Sequence, residues 1–526
     1  MQLFFTFLAY TLFVAGYSWY KLRKEKLNSH EGYFLGGRSL TGVVIAGSML
    51  LTNISTEHLI GMNGSSYKNG FIIIAWEVTS ALALILTAVY FVPKYLKMGL
   101  TTIPQFLENR FDGFTRSLVA FFLMISFIVT LLPIVLYTGA INLESIFNVS
   151  ELLGVSQTQG MNYTIWAIGL VGSLYAIFGG LKAVAVSDTL NGYGLLVGGL
   201  AIPFIALVSI GEGNPLEGLS SVYRNAPEKF NVIGAKDSVM PFEVLFTGLI
   251  INQIYFWCMN QMIIQRAFGA KNLKEAQKGL LFTGLLKILV PLIIILPGVI
   301  GFYYFGDLYY DRQDMIYPEL IKKVLPAGFV GVFAAIVMGA VLSTFNSVLN
   351  SAATIFSIDI FKRHINPEIS DGRLVKIGKI TSAVLAIFAI VVAPMVANAP
   401  DGLYQLLQQL NGIFFIPIAS IMLAGFFLPK ISALAAKAAL LVGLTFYISW
   451  TFIFKVDLHF VHIWGIEFII NMAVMGLISY FIPKEKPFQI SDLQIVEMKE
   501  WKFTKGFSIF LVVSTLLIYI LLGNFN

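Results

Sequence analysis

Residues 50–58 read Leu50-Leu51-Thr52-Asn53-Ile54-Ser55-Thr56-Glu57-His58, a run of hydroxyl, amide and ionisable side chains inside a stretch, 40 to 62, that is otherwise apolar. Hydrocarbon tolerates irregular backbone only where it is buried in protein or lines a cavity. The stretch therefore predicts a spanning helix broken halfway. A second interruption, Asn252-Gln253-Ile254-Tyr255-Phe256-Trp257 followed by Asn260-Gln261, lies in the stretch 241 to 264, five spans further on. Paired interruptions at matching places in two halves predict oppositely directed repeats with a binding site at the bilayer midplane.

The surroundings agree. Hydrophobic residues make up 57% of the chain and charged ones 12%, about half the charged share of a soluble domain. These values predict an all-α polytopic membrane protein with membrane lipid as its neighbour. A span needs roughly 20 mostly apolar residues. About fourteen stretches qualify: 3 to 20, 40 to 62, 70 to 93, 116 to 143, 161 to 179, 190 to 210, 241 to 264, 279 to 304, 325 to 361, 377 to 397, 403 to 427, 431 to 454, 459 to 483 and 506 to 523. Threaded alternately, they leave 26 of the 35 basic residues in one set of loops and 8 in the other, with Lys287 inside a span. Basic loops stay on the cytoplasmic side, so the expected place is a cell inner membrane with both termini periplasmic. The net charge of +6 is then a topology signal and implies no nucleic-acid partner.

The first stretch, Leu3 to Tyr20, is followed by Lys21, Arg23, Lys24 and Lys26 and by no small-residue cleavage site, so it predicts a retained helix. The expected organisation is 1–39 first helix and cytoplasmic linker, 40–210 first repeat, 211–240 external loop, 241–427 second repeat and 428–526 accessory helices. Cys258, the lone cysteine, forms neither an internal disulfide nor a metal cluster.

A charge at the centre of a spanning helix costs roughly 2.5 to 3.5 kcal/mol on insertion scales. Glu57, Glu77 and Lys287 therefore mark either a structural ion pair or a hydrated solute cavity, and the two helix breaks favour the cavity. In Ala340-Val341-Leu342-Ser343-Thr344-Phe345-Asn346-Ser347, hydroxyls at Ser343 and Thr344 facing carbonyls near Leu51 and Ile54 would suit a hard cation such as sodium. Ordinary small-residue packing explains the same spacing. His58 is a solute contact, a proton relay or a packing residue. Trp76, Tyr255, Phe256 and Trp257 offer flat faces suited to a sugar ring, although aromatics in spans usually just pack. No phosphate-binding glycine loop, metal-ligand spacing or nucleophile elbow is present, which leaves an enzyme without its chemistry and a pump without its fuel site.

Several motifs carry a family resemblance. They are Gly32-Tyr33-Phe34-Leu35-Gly36-Gly37-Arg38-Ser39-Leu40, Asn53-Ile54-Ser55 with Glu57, Ile60-Gly61-Met62, Tyr175-Ala176-Ile177-Phe178-Gly179-Gly180-Leu181-Lys182-Ala183-Val184, Ile264-Gln265-Arg266 with Ala276-Gln277-Lys278-Gly279, and Leu349-Asn350-Ser351. In these the chain resembles the solute:sodium symporter family, in the branch of the bacterial sodium/galactose cotransporters, from the first span to the thirteenth. The resemblance implies a LeuT-type fold, a 5+5 inverted repeat with broken second and seventh helices, and sodium as the co-transported ion. It implies a sodium site at the backbone of Leu51, Ile54 and Ala340 and the hydroxyls of Ser343 and Thr344, with Asp188 assisting sodium exit. It implies solute contacts at Asn53, His58, Glu77, Ser80, Gln253, Lys287 and Gln408, with Met62, Trp76, Tyr255, Phe256 and Trp257 as apolar and gating neighbours.

Three positions depart from the galactose transporter: His58 replaces a glutamine, Gln253 an asparagine and Phe256 the stacking tyrosine. The expectation is a sodium-coupled symporter of a small polar solute, a monosaccharide such as galactose or glucose. The alternatives are another solute (sialic acid, a polyol, a carboxylate or an amino acid), proton coupling, a channel, and a sensor that moves nothing.

Overall fold

The computed structural model describes residues 2–23, 29–398, 403–485 and 488–524, so Lys24 and Lys26 of the first basic cluster lie outside the described residues. The chain is helical throughout and contains, among the described residues, no strand beyond one isolated bridge between Leu40 and Ala270. The principal helices are α1 (Gln2–Leu22), α2 (Gly42–Asn53), α3 (57–69), α4 (75–97), α5 (Gly113–Phe147), α6 (157–179), α7 (181–210), α8 (Gly248–Met259) and α9 (Gln261–Phe268). They continue with α10 (Leu273–Phe305), α11 (Gly328–Ile365), α12 (Asp371–Val396), α13 (Tyr404–Phe427), α14 (Ala433–Ile453), α15 (Phe460–Phe481) and α16 (Thr504–Leu522).

Eleven helices among the described residues are long and apolar enough to cross a membrane, fewer than the fourteen stretches expected. The difference has physical causes. The expected spans 40 to 62 and 241 to 264 are each split, leaving α2 and α8 as short apolar helices. The expected fifth and sixth spans form one helical run, Gln157–Ile210, divided only where Gly180 takes φ 59°, ψ −170°. A side chain is excluded there twice over, because that backbone region is essentially glycine-only and a Cβ would come within 2.7 Å of the Tyr33 carbonyl.

Each break contains a residue with extended backbone. Ile54 (ψ 92°) ends α2 and Asn260 (ψ 120°) separates α8 from α9. The start of α2 and the end of α9 meet, because Leu40 donates to the Gly269 carbonyl (3.0 Å) and Lys271 donates to the Leu40 carbonyl (3.0 Å). The two broken helices therefore run in opposite directions, with α2 and α9 toward one end of the bundle and α3 and α8 toward the other. A π turn flanks each break, Glu57–Met62 in α3 and Tyr255–Met259 in α8. Both sit on the half facing away from the Leu40 end. Such bulges cost regular hydrogen bonding and cluster at functional sites.

Packing places these halves at the centre. Leu50, Leu51, Ile54, Trp76, Val290 and Ala340 share one buried apolar cluster. At the periphery α1 and α16 keep wide apolar faces exposed, among them Phe5, Phe13, Phe510 and Leu521. A surface of that kind suits hydrocarbon rather than water.

Candidate solute and cation site

The breaks open onto a cavity of about 50 Å³. Its wall draws on α2 (Thr52, Asn53), α3 (Glu57, His58), α4 (Trp76, Glu77, Ser80), α8 (Gln253, Phe256, Trp257), α10 (Lys287) and α13 (Tyr404, Gln408, Asn411).

At its floor is a buried ion pair. Lys287 contacts Glu77 directly and donates to Asn53 Oδ1 at 2.5 Å. Both charged side chains are about 1% exposed. Each charge is tolerable there only because the other compensates it. Lys287 also lies 5.5 Å from the centroid of Trp257, within cation–π range. His58 lies between two carboxylates, with Nδ1 3.6 Å from Glu57 Oε1 and Nε2 3.8 Å from Glu77 Oε1. The second wall is an amide and hydroxyl network. Ser80 Oγ and Trp257 Nε1 donate to Gln253 Oε1 at 3.0 and 3.1 Å, and Gln253 Nε2 donates to the Trp76 carbonyl at 2.8 Å. Tyr404 closes one side, edge-on to His58 (5.2 Å) and to Trp76 (5.8 Å).

All seven expected solute contacts, Asn53, His58, Glu77, Ser80, Gln253, Lys287 and Gln408, line this one cavity, as do Trp76, Phe256 and Trp257. Met62 and Tyr255 do not. Met62 is buried in the core behind the wall, and Tyr255 stacks at 4.2 Å on Phe415, which lines it instead. The expectation passed over Tyr404, Asn411 and Phe415, and marked Asn252 and Asn260 as part of the second interruption without naming them as contacts. An amide in an apolar span is a usable signal for the three asparagines, whereas nothing in the sequence separates Tyr404 and Phe415 from packing aromatics.

Of the cation candidates, Thr344 lines this cavity, whereas Leu51, Ile54, Ala340 and Ser343 do not. Ser55 donates its amide to the Asn53 carbonyl (3.2 Å) instead of to Leu51, four residues back as a helix requires. The break therefore frees backbone oxygens at Leu51 and Thr52, and Thr344 Oγ1 donates to the Thr52 carbonyl at 3.0 Å. Ala340, Ser343 and Thr344 share one face of α11 by their spacing and are buried. Ser343 Oγ makes no hydrogen bond of ordinary length and lies beside Asp188. Hydroxyls and carbonyls are hard donors suited to an alkali cation.

Below this point Asp188 accepts from Ser48 Oγ at 2.7 Å and faces Arg266 at 3.4 Å. Arg266 in turn reaches Ser48 (2.7 Å) and Ser347. This guanidinium ties α9 to α2, α7 and α11.

Comparison with known proteins agrees with this geometry. A family model described as the sodium:solute symporter family matches residues 33–443. An uncharacterized symporter, YidK, of Escherichia coli K12 is 44% identical over 521 residues, covering 99% of this chain and 91% of that protein. The sodium/glucose cotransporter of Vibrio parahaemolyticus is 33% identical over 445 residues, covering 81% and 80%. Among solved structures, a sodium-coupled sialic acid symporter in a substrate-bound outward-open state superposes with a TM-score of 0.80 at 20% identity, covering 92% of this chain and 99% of that one. That likeness shows the fold, an all-helical architecture. By family model and by relatives that span most of its length, the chain belongs to the sodium:solute symporter family.

Proposed function

We propose that this symporter imports a monosaccharide such as galactose or glucose together with sodium, by alternating access. The carrying observation is the Lys287, Glu77 and Asn53 triad inside a wall of Trp76, Phe256 and Trp257. Glu77 accepts from paired hydroxyls, Lys287 donates, and the amides of Asn53, Gln253 and Gln408 do both. The indoles and Phe256 cover the apolar face of a sugar ring, and a site built on hydroxyl contacts penalises analogues that lack them.

In this reading sodium bridges the carbonyls of Leu51, Ile54 and Ala340 and the hydroxyls of Ser343 and Thr344, bracing the first break against α11. That completes the solute cavity, and inward opening then releases sodium past Asp188. The repeats run 40–210 and 241–427, and the protein sits in the inner membrane with its termini periplasmic. About 100 mV supplies roughly 2.3 kcal/mol per charge and a tenfold sodium gradient about 1.4 kcal/mol. Together these support roughly several-hundred-fold accumulation at one sodium per solute.

One observation favours a second reading, coupling to a proton: His58 lies between Glu57 and Glu77. Uptake that follows an imposed pH gradient in sodium-free buffer would select it. The test of the hexose reading is sodium-dependent binding of labelled galactose to the purified protein, competed by a series of single-deoxy hexoses. A loss of about tenfold or more for at least one deoxy position supports it; equal competition by all of them, or no binding at all, removes the sugar from the account.

A further inference from the structure

Outside the solute cavity, α13, α14 and α15 enclose a carboxyl group that the transport scheme does not use. Glu467 of α15 is fully buried. Whereas Glu77, Asp188 and Asp359 each face a lysine or arginine, Glu467 pairs with no cation among the described residues. Its titratable neighbour is the Tyr447 phenol of α14, and the nearest histidine on its own helix, His462, turns away to Thr247. Neither carboxyl oxygen has a hydrogen-bond partner of ordinary geometry, and the Asn471 amide is the polar group that faces it.

The Asn471 amide has a fixed orientation. Ser420 Oγ of α13 spends its hydrogen on the Ile416 carbonyl (2.8 Å), so toward Asn471 it only accepts, and it takes Nδ2 at 3.2 Å. Asn471 Oδ1 is left as an acceptor with no donor. An ionised Glu467 would add two more acceptors and a lone charge at membrane depth, each costly. A protonated carboxyl supplies the missing donor. The backbone is shaped for this cluster: a Cβ on Gly443 would lie 2.6 Å from Asn471 Oδ1 and 2.9 Å from Glu467 Oε1.

We propose that Glu467 is a resident proton site, an uncharged carboxylic acid that donates to Asn471 Oδ1 one turn further along α15 and so steadies the amide whose Nδ2 fastens α15 to Ser420 of α13. A different face of α13 presents Gln408 and Asn411 to the solute cavity. A second tie, Tyr447 Oη donating to the Gln409 carbonyl at 2.9 Å, holds the same helix about three turns from Ser420. Glu467 is thus a positioning residue for solute binding, an inference that rests on the solute site proposed above.

The test joins infrared spectroscopy with uptake, both on the full chain in liposomes. Wild type minus Glu467→Gln at neutral pH shows the carbonyl stretch of an uncharged acid. Glu467→Gln, whose amide still donates, keeps KM for labelled galactose within about twofold, while Glu467→Ala raises it about tenfold with little change in Vmax. Carboxylate bands in the difference spectrum overturn the proposal, as does a Gln variant as impaired as the Ala variant, or an Ala variant that folds and transports like wild type. Should the Ala variant fail to fold, the spectrum and the Gln variant decide. A wild type that accumulates no galactose refutes the hexose reading separately and leaves the spectrum to judge the proton site.

Discussion

Removing Lys287 puts the buried pair to its strictest test. In Lys287→Met the ammonium disappears, Glu77, about 1% exposed, is left without its lysine, and Asn53 Oδ1 loses its donor. Breaking a buried pair from one side costs about 3–5 kcal/mol, because a charge is left uncompensated. Adding Glu77→Gln to the same background removes that charge, and the new amide still donates toward Asn53. The double variant therefore recovers most of the loss, with a coupling energy of at least about 2 kcal/mol, well above the additive expectation for independent sites. Thermal unfolding in detergent of wild type, the two single variants and the double variant ranks the set: wild type and double variant close together, Lys287→Met lowest. On the proposed solute site, all three variants fail to accumulate hexose. Additive losses in the double variant would mean that the two side chains do not share one electrostatic site, and the solute floor described above would fall with them.

Other consequences follow from separate parts of the structure. Thr344→Ala, which loses the hydroxyl at the Thr52 carbonyl, raises the sodium concentration for half-maximal uptake by about tenfold while sparing the rate at saturating sodium. Gly180→Ala forces a side chain into a positive-φ position against Tyr33 and lowers stability by about 1–3 kcal/mol, visible as a reduced unfolding temperature. In the helix 103–110, outside the spans, burial pushes the Glu108 carboxyl up, but Arg116 and Arg363 outweigh it and hold the group below its ordinary value of 4.5. A depressed carboxylate contributes stability above its unfolded pKa and loses it as pH falls through the folded one. Arg363→Ala therefore weakens the protein at neutral pH and makes progressively less difference as pH falls below about 4.5, measured as unfolding temperature against pH.

The parts of this architecture that were legible in the sequence share one cause. Glu77, Lys287 and the polar breaks stand out because charge and amide groups are expensive in hydrocarbon, so their presence in spans signals a cavity. The oxygens of Leu51 and Ile54 were reachable only as an implication of helix breakage and family likeness, because a backbone carbonyl leaves no trace in residue type. The split helices are too short to stand as spans by length alone, and the boundary expected after residue 179 falls where Gly180 divides the run Gln157–Ile210. Tyr404 was invisible because an aromatic ring in a span reads as packing. Glu467 carried the same cost signal as Glu77, but it has no partner charge in the sequence pattern to mark it as part of a site.

The central claim is sodium-driven hexose symport through the α2–α11 cation site, and uptake of labelled galactose and glucose into liposomes tests it most directly, with and without an inward sodium gradient, beside a Ser343→Ala, Thr344→Ala double variant. The account predicts accumulation that requires the sodium gradient and is lost in the double variant. Accumulation indifferent to sodium, or unchanged in the double variant, would contradict it.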